Sequence, residues 1–479
     1  MVKPSRARTT KSRLRSQPRR RSNEPFALFA VGVAALALVA AWFFHRRSAP
    51  SAESPSAPSA NALGASVPAS TDSVGATNPP ASSTGSAERG TAPTNAALDP
   101  SPSNDGGPSE PPAVTGPLAR FFDAAEALKH GRRREPVRVL WLGDSHTFAD
   151  FWPDAVRRPL ADRFGAGGPG FFFTGLESYR HANAHFSRAG DWTVKPDRPS
   201  LPERQDDGIF GLGGMRAVAE SPDSSFKIDV ERDGIRGDAT WDLCFRLPAP
   251  SSGFRIQGDG MKPILVDATS FHVGRLEHVT WRTPAPASVT VDGTDGSPEF
   301  CGVVVEGTVP GIVLDSVGII GSRIATALSW DATQWIAEAK RRRPVLAVLA
   351  YGTNECGDGV PVSKYAAQYA EMMRRLRAAA PDVDCVIVGP TDRVVKLGSP
   401  GRVGQITAVQ QQAAASLGCA FFSTQDAMGG PGGFTKWASV DGDFTASDGV
   451  HLAPNGYAEL GAQMVRVLLS ERPGLPSLK

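Results

Sequence analysis

Hydrophobic and polar positions fall into three textures along the chain. Short apolar runs at 137–142, 311–317, 345–350, 385–388 and 419–422 alternate with stretches whose apolar residues recur at helical spacing. Those stretches are 118–128, 150–164, 322–341, 362–379, 403–417 and 454–469. Buried strands alternating with amphipathic helices predict a parallel sheet covered on both faces. Residues 186–310 have another rhythm. Runs at 226–230, 243–247, 254–256, 264–266, 289–291 and 303–305 alternate apolar with polar residues between Gly, Pro, Asp and Ser, the pattern of short antiparallel strands. The expected architecture is a three-layer α/β domain in two parts, 117–185 and 311–479, interrupted by a β-rich insertion at 186–310.

The first quarter of the chain has neither texture. Residues 1–25 carry nine Lys/Arg against the single Glu24, and the nineteen residues 26–44 contain no charge. As a helix that run would rise about 28 Å, close to the hydrocarbon thickness of a bilayer. With the basic residues concentrated before it, the sequence predicts a single-pass anchor whose N-terminal side stays cytoplasmic and whose C-terminal side is exported, as from a cell inner membrane. His45-Arg46-Arg47 is a poor small-residue cleavage site, which favours an anchor over a removed signal. Residues 45–116 are rich in Ser, Pro, Ala, Gly and Thr, too poor in large apolar groups to form a core, and read as a disordered tether with a span of about 45 Å.

Charge sharpens this division. The net charge is +2, with +10 in the first 47 residues, so the remainder carries −8. An acidic exported part is a poor binder of polyanions, and no nucleic-acid partner is expected. The five cysteines all lie in that part. Cys385 and Cys419 open neighbouring apolar runs, and Cys244 and Cys301 share the β-rich stretch; these are the two pairings to test, leaving Cys356. No Cys or His spacing resembles a metal site, and no metal or organic cofactor is implied.

The chemistry sits at the ends of the apolar runs. Gly143-Asp144-Ser145-His146 follows the first run, and Asp448-Gly-Val-His451 precedes the last helical stretch. A serine hydroxyl needs a base to take its proton and a third group to hold that base, so Ser145, His451 and Asp448 suit nucleophile, base and orienting carboxylate. Open α/β sheets present ligands at the C-terminal ends of their strands, where Ser145 is expected.

Two further blocks stand in order between these: Gly318-Ile-Ile-Gly321 after the 311–317 run, and Gly352-Thr-Asn-Glu355 after the 345–350 run. Together the four blocks resemble the SGNH (GDSL-like) hydrolase superfamily. The resemblance implies a flavodoxin-like sheet and an oxyanion hole made of the Ser145 N–H, the Gly321 N–H and the Asn354 side-chain amide. Gly318 is the alternative glycine donor, with Gly213 or Gly214 as a third. Gly143-Asp-Ser-His-Thr147, Asp150-Phe151, Phe164-Gly-Ala-Gly-Gly-Pro-Gly-Phe171 and Pro310-Gly-Ile-Val-Leu-Asp-Ser-Val-Gly318 resemble, more narrowly, bacterial peptidoglycan O-acetylesterases. That likeness implies a β-sandwich insertion of carbohydrate-binding type, an acyl-enzyme mechanism and an O-acetylated polysaccharide substrate. An O-acetyltransferase using the same triad and a non-catalytic glycan-binding envelope protein are the alternatives. Asp144 and His146 are expected to support the nucleophile, and Thr147 either to line an acyl pocket or to start a helix. Trp192, Trp241, Phe245, Phe254, Phe271 and Trp281 are expected to be mostly structural.

Overall fold

The computed structural model describes residues 117–470 apart from 233 and 395–400. The basic segment, the apolar run and the tether predicted within 1–116 lie outside the described residues. Among the described residues no helix is long and apolar enough to cross a membrane.

The chain opens with α1 (Ala119–Lys129), β1 (Val137–Gly143), α2 (Ser145–Phe148), α3 (Phe151–Phe164), β2 (Ala166–Gly168) and β3 (Gly170–Phe172). Ten antiparallel strands follow: β4 (Ala184–Ala189), β5 (Trp192–Lys195), β6 (Arg216–Ala219), β7 (Ser225–Val230), β8 (Ala239–Arg246), β9 (Gly253–Gly258), β10 (Ile264–Asp267), β11 (Leu276–Thr283), β12 (Ala287–Asp295) and β13 (Glu299–Gly307). The α/β alternation resumes with β14 (Ile312–Gly318), α4 (Ile324–Ser329), α5 (Ala332–Arg342), β15 (Leu346–Ala350), α6 (Ser363–Ala379), β16 (Asp384–Val388), α7 (Arg402–Leu417) and β17 (Ala420–Phe422). It closes with α8 (Thr424–Ala427), α9 (Gly433–Ala438) and α10 (Pro454–Ser470).

The parallel sheet has the order β17-β16-β15-β1-β14-β2. β1 is central, paired with β14 from Val137↔Ile312 to Gly143↔Gly318 and with β15 from Val139↔Leu346 to Gly143↔Ala350. Its side chains feed two cores, as the strand period requires. Val137, Val139 and Trp141 pack under α1, α3 and α10, whereas Leu140 and Leu142 pack under the helices of the other face. Every side chain along β1 except Arg138 is buried, which is why it reads as an unbroken apolar run.

The strands between β4 and β13 form two antiparallel sheets, β10-β9-β12-β7-β4 and β11-β8-β13-β6-β5. Phe226, Ile228 and Val289 of the first share one buried cluster with Trp241, Leu243 and Phe245 of the second. Trp241 and Trp281 stack at 5.7 Å, and Phe245 and Phe254 are fully buried, so these aromatics are core. β3 pairs with β13, so the second sheet recruits a strand from upstream of the predicted insertion. The helix predicted over 322–341 is two helices, because Asp331 leaves helical geometry and accepts the Gln334 N–H to cap a new start. Disulfides join Cys244 to Cys301 and Cys385 to Cys419, and Cys356 is free and buried.

The antiparallel part is pinned to α5 by His278 of β11. Its Nδ1 meets Asp242 at 3.0 Å and its Nε2 meets Glu338 at 3.1 Å. Burial opposes the charged ring, but the hydrogen bonds and charges of Asp242 and Glu338 outweigh it and raise His278 to about 9. A pKa raised on folding stabilises the folded state fully below the unfolded value near 6.5, and that stabilisation is lost as pH rises through about 9. The expected contribution is on the order of 3 kcal/mol below pH 6. Urea titrations at pH 6 and 9.5 should therefore show the parent losing its advantage over His278→Gln at the higher pH; a constant gap would contradict the charged clamp.

Candidate active site

Three adjacent strands deliver the site to one edge of the sheet. Ser145 stands two residues beyond β1, Gly321 three beyond β14 and Asn354 four beyond β15. Because β1 lies between β14 and β15, the serine is flanked on both sides by the two predicted donors. The base and its carboxylate come from the loop before α10.

Ser145 is the first residue of α2. Asp144 caps that helix, its Oδ1 accepting the His146 N–H at 3.0 Å. A Cβ at Gly143 would lie 2.1 Å from Thr147 Oγ1, so only glycine allows the chain to turn this tightly from strand into helix. Thr147 is fully buried and accepts from Trp141 Nε1 at 3.2 Å. It stands in the first turn of α2, the helix-start alternative, and packs that turn against β1. As the first helical residue, Ser145 keeps an N–H with no intrahelical acceptor.

His451 Nε2 lies 2.7 Å from Ser145 Oγ, and His451 Nδ1 lies 2.5 Å from Asp448 Oδ2. Asp448 uses its other oxygen, Oδ1, to accept the Val450 and His451 N–H groups, both at 2.9 Å. The Asp-x-x-His spacing thus closes a loop on itself and sets the ring orientation. Burial would raise the Asp448 carboxyl, but its hydrogen bond to the His451 ring, the charge there and the two backbone donors hold it well below the usual carboxylate range. It is anionic at any working pH. Ser145 is 8% exposed and the side chains of His451 and Asp448 are 22% and 29% exposed, so the relay is open to a substrate from one side.

Ile319 to Ser322 form a turn closed by Ser322 N–H to Ile319 O at 3.1 Å, with Gly321 at φ +78°, a conformation that favours glycine. The turn is tied to the end of β1 by Ile319 N–H and Ser322 Oγ, both donating to Gly143 O, at 3.2 and 3.1 Å. Asn354 Nδ2 donates to Ser322 O at 2.8 Å, which draws the Asn side chain to the same turn. One of its two N–H groups is engaged there, leaving the other for a ligand. Gly318 instead closes β14 opposite Gly143, against the Thr147–Phe148 backbone, and Gly213 and Gly214 pack on Phe171, Phe173 and Trp330.

Behind the relay, His146 is buried, with Nδ1 2.9 Å from Tyr457 Oη and Nε2 3.4 Å from Thr391 Oγ1. Its ring lies 5.0 Å from that of His451. Burial, and then the charge of His451, lower its pKa well below the ordinary value, so it is a neutral support. Tyr457, Thr391 and Ser322 had no local signal in the sequence. Asp150, at φ +57°, is another unpredicted anchor: its carboxylate receives the Arg157 guanidinium at 2.7 and 3.0 Å and the Ala182 N–H at 3.0 Å. This fixes the start of α3 to the segment that enters the antiparallel sheets.

Among the described residues, one group of side chains has metal-ligand types within reach of one another: Cys244, His278 and Glu338. Cys244 is committed to its disulfide and both His278 nitrogens to carboxylates.

A serine hydroxyl bonded to an imidazole, itself held by a carboxylate, beside converging N–H donors is equipped for acyl transfer. Residues 286–459 match the model of the GDSL-like Lipase/Acylhydrolase family. Over that span the chain is similar to GDSL-like hydrolases. The matched span includes Gly321, Asn354, Asp448 and His451 and begins after Ser145, which the fold brings back to them across β1. Among solved structures, a peptidoglycan O-acetylesterase is 23% identical, with a TM-score of 0.61, over 75% of this chain and 97% of that one. A family two carbohydrate esterase from Cellvibrio japonicus is 11% identical over 60% of this chain and 98% of that one, with a TM-score of 0.25. No curated protein matches the chain. The chain thus matches GDSL-like hydrolases over 286–459 and resembles a peptidoglycan O-acetylesterase in fold.

Proposed function

We propose that this SGNH hydrolase removes O-acetyl groups from peptidoglycan, or from another envelope polysaccharide, through an acyl-enzyme on Ser145. The observation that carries the mechanism is the relay from Asp448 through His451 to Ser145, with contacts of 2.5 and 2.7 Å. His451 Nε2 takes the Ser145 proton as Oγ bonds to the acetyl carbonyl carbon. The negative charge that forms on the carbonyl oxygen is met by the Ser145 N–H, the Gly321 N–H and the Asn354 amide. Collapse breaks the bond to the sugar oxygen, which leaves with the proton from Nε2. Water then loses a proton to Nε2, attacks the acetyl-serine, and acetate departs as the proton returns to Oγ.

The substrate class rests on the likeness to a peptidoglycan O-acetylesterase and on the antiparallel sheets between Ala184 and Gly307, which we read as an inserted β-sandwich of carbohydrate-binding type. The uncharged run 26–44 and the polar tether after it support a membrane-anchored enzyme with its catalytic part exported.

The test is acetate release by the full chain from O-acetylated peptidoglycan, acetylated xylan and an aryl acetate, with Ser145→Ala as control. Ser145-dependent release with kcat/KM at least about tenfold higher on peptidoglycan, a preference of about 1.4 kcal/mol, is expected. Equal rates on xylan, or turnover of the aryl ester alone, would overturn the peptidoglycan assignment.

A further inference from the structure

Directly after Asn354, the single helical turn Glu355–Gly357 buries a carboxyl that no step above uses. Glu355 is 2% exposed. Its Oε1 accepts the Ile324 N–H at 3.0 Å, while its Oε2 has no hydrogen-bond partner among the described residues. Ile324 opens α4, so this N–H is one of the donors that a helix start leaves unsatisfied. It also stands three residues beyond Gly321. Residues 354 and 355 therefore hold the segment after the oxyanion turn at two points, Asn354 on the Ser322 carbonyl and Glu355 on the Ile324 amide.

The surroundings give Glu355 no full counter-charge. Arg323 lies between the two clamped residues, but its guanidinium is committed to Asp358, with Nη2 to Oδ1 at 2.7 Å. The other ionisable groups facing Glu355 are Asp144 from the β1–α2 loop, Tyr351 after β15, Tyr365 and Tyr369 of α6, and Cys356 beside it. Burial pushes all three tyrosine hydroxyls and the Cys356 thiol up, so these groups are neutral around it. Burial, reinforced by the Asp144 charge and only partly offset by the Ile324 N–H and Arg323, pushes the Glu355 carboxyl up to about 7.

Resting on the oxyanion assignment above, we propose that Glu355 is a positioning residue: its neutral carboxyl holds the Gly321–Ile324 segment against Asn354, and its ionisation weakens oxyanion stabilisation. A neutral acid keeps the Ile324 contact without adding charge. A buried carboxylate beside the same turn would oppose the second negative charge that develops on the substrate oxygen, in a setting that screens it poorly. The effect falls on the transition state and not on the bound ester, so it belongs in kcat.

The experiment follows kcat and KM for an aryl acetate from pH 5.5 to 9 with the full-chain parent, Glu355→Gln and Glu355→Leu. Gln keeps an acceptor for the Ile324 N–H and cannot ionise. The ratio of Glu355→Gln to parent kcat should stay within about threefold of unity at pH 5.5 and rise about three- to tenfold by pH 8.5, with KM changed less than about twofold. Glu355→Leu, which orphans the Ile324 N–H, should lose about ten- to a hundredfold in kcat throughout. A flat Gln-to-parent ratio, or a folded Leu variant with parental kcat, overturns the proposal; if the Leu variant does not fold, the Gln ratio still decides. A parent inactive on the aryl ester would instead bring down the esterase mechanism itself.

Discussion

Ser145→Ala is expected to lower kcat on any acetyl ester by about 10⁴- to 10⁶-fold while leaving the fold intact. The size follows from the loss of the only atom that can form the acyl bond. Ser145 Oγ makes one contact to a side chain, that with His451 Nε2, and Asp448 still orients the ring after truncation. The site is also partly open, so removing one hydroxyl creates no buried cavity that would unfold the domain. Circular dichroism and the thermal midpoint should match the parent's, and burst kinetics with a chromogenic ester should lose both the burst and the steady rate. Residual turnover within about tenfold of the parent, at matched stability, would mean that another nucleophile does the work.

Much of this site was legible because its key groups sit at fixed short offsets from strand ends or from each other. Ser145 follows an apolar run whose every alternate residue is buried on one face or the other, and Asp448 and His451 form a loop that closes locally. The proposed donors Gly321 and Asn354 came from resemblance, since an apolar run followed by a glycine does not by itself announce an oxyanion hole. Among the supports of the relay, His146 is legible beside the nucleophile, whereas its own partners are not. His146 meets Tyr457 and Thr391, 311 and 245 residues away in sequence, and no local pattern encodes such a contact.

The same contrast holds in the fold. Strands buried on both faces, such as β15 and β16, were read to within a residue of their ends. β11, whose sequence is LEHVTWRT, was missed because its polar and charged positions outnumber the apolar ones, and only pairing with β8 along its whole length shows why it is a strand. β2 and the start of β3 fall in the glycine-rich stretch 165–170, which carries no strand pattern. Their glycines let β14 and β13 approach backbone to backbone, a packing requirement that looks like turn chemistry in one dimension.

Asn354→Ala should lower kcat by about 10²- to 10³-fold with little change in KM, the cost of removing one preorganised oxyanion donor. Two losses contribute. The amide proton facing the substrate is gone, so a charge that exists only in the transition state loses a partner, equivalent to about 3–4 kcal/mol. The Nδ2 contact to Ser322 O is gone as well, which loosens the turn that presents the Gly321 N–H. Asn354→Asp separates these contributions. It keeps the size of the side chain but replaces both donors with acceptors, repelling the Ser322 carbonyl and the developing oxyanion alike, and should be at least as damaging as Ala. If Ala raised KM without lowering kcat, Asn354 would be binding the ground-state ester. If Asp were as active as the parent, the amide would not be an oxyanion donor, and the negative charge would have to be met by Gly321 and Ser145 alone.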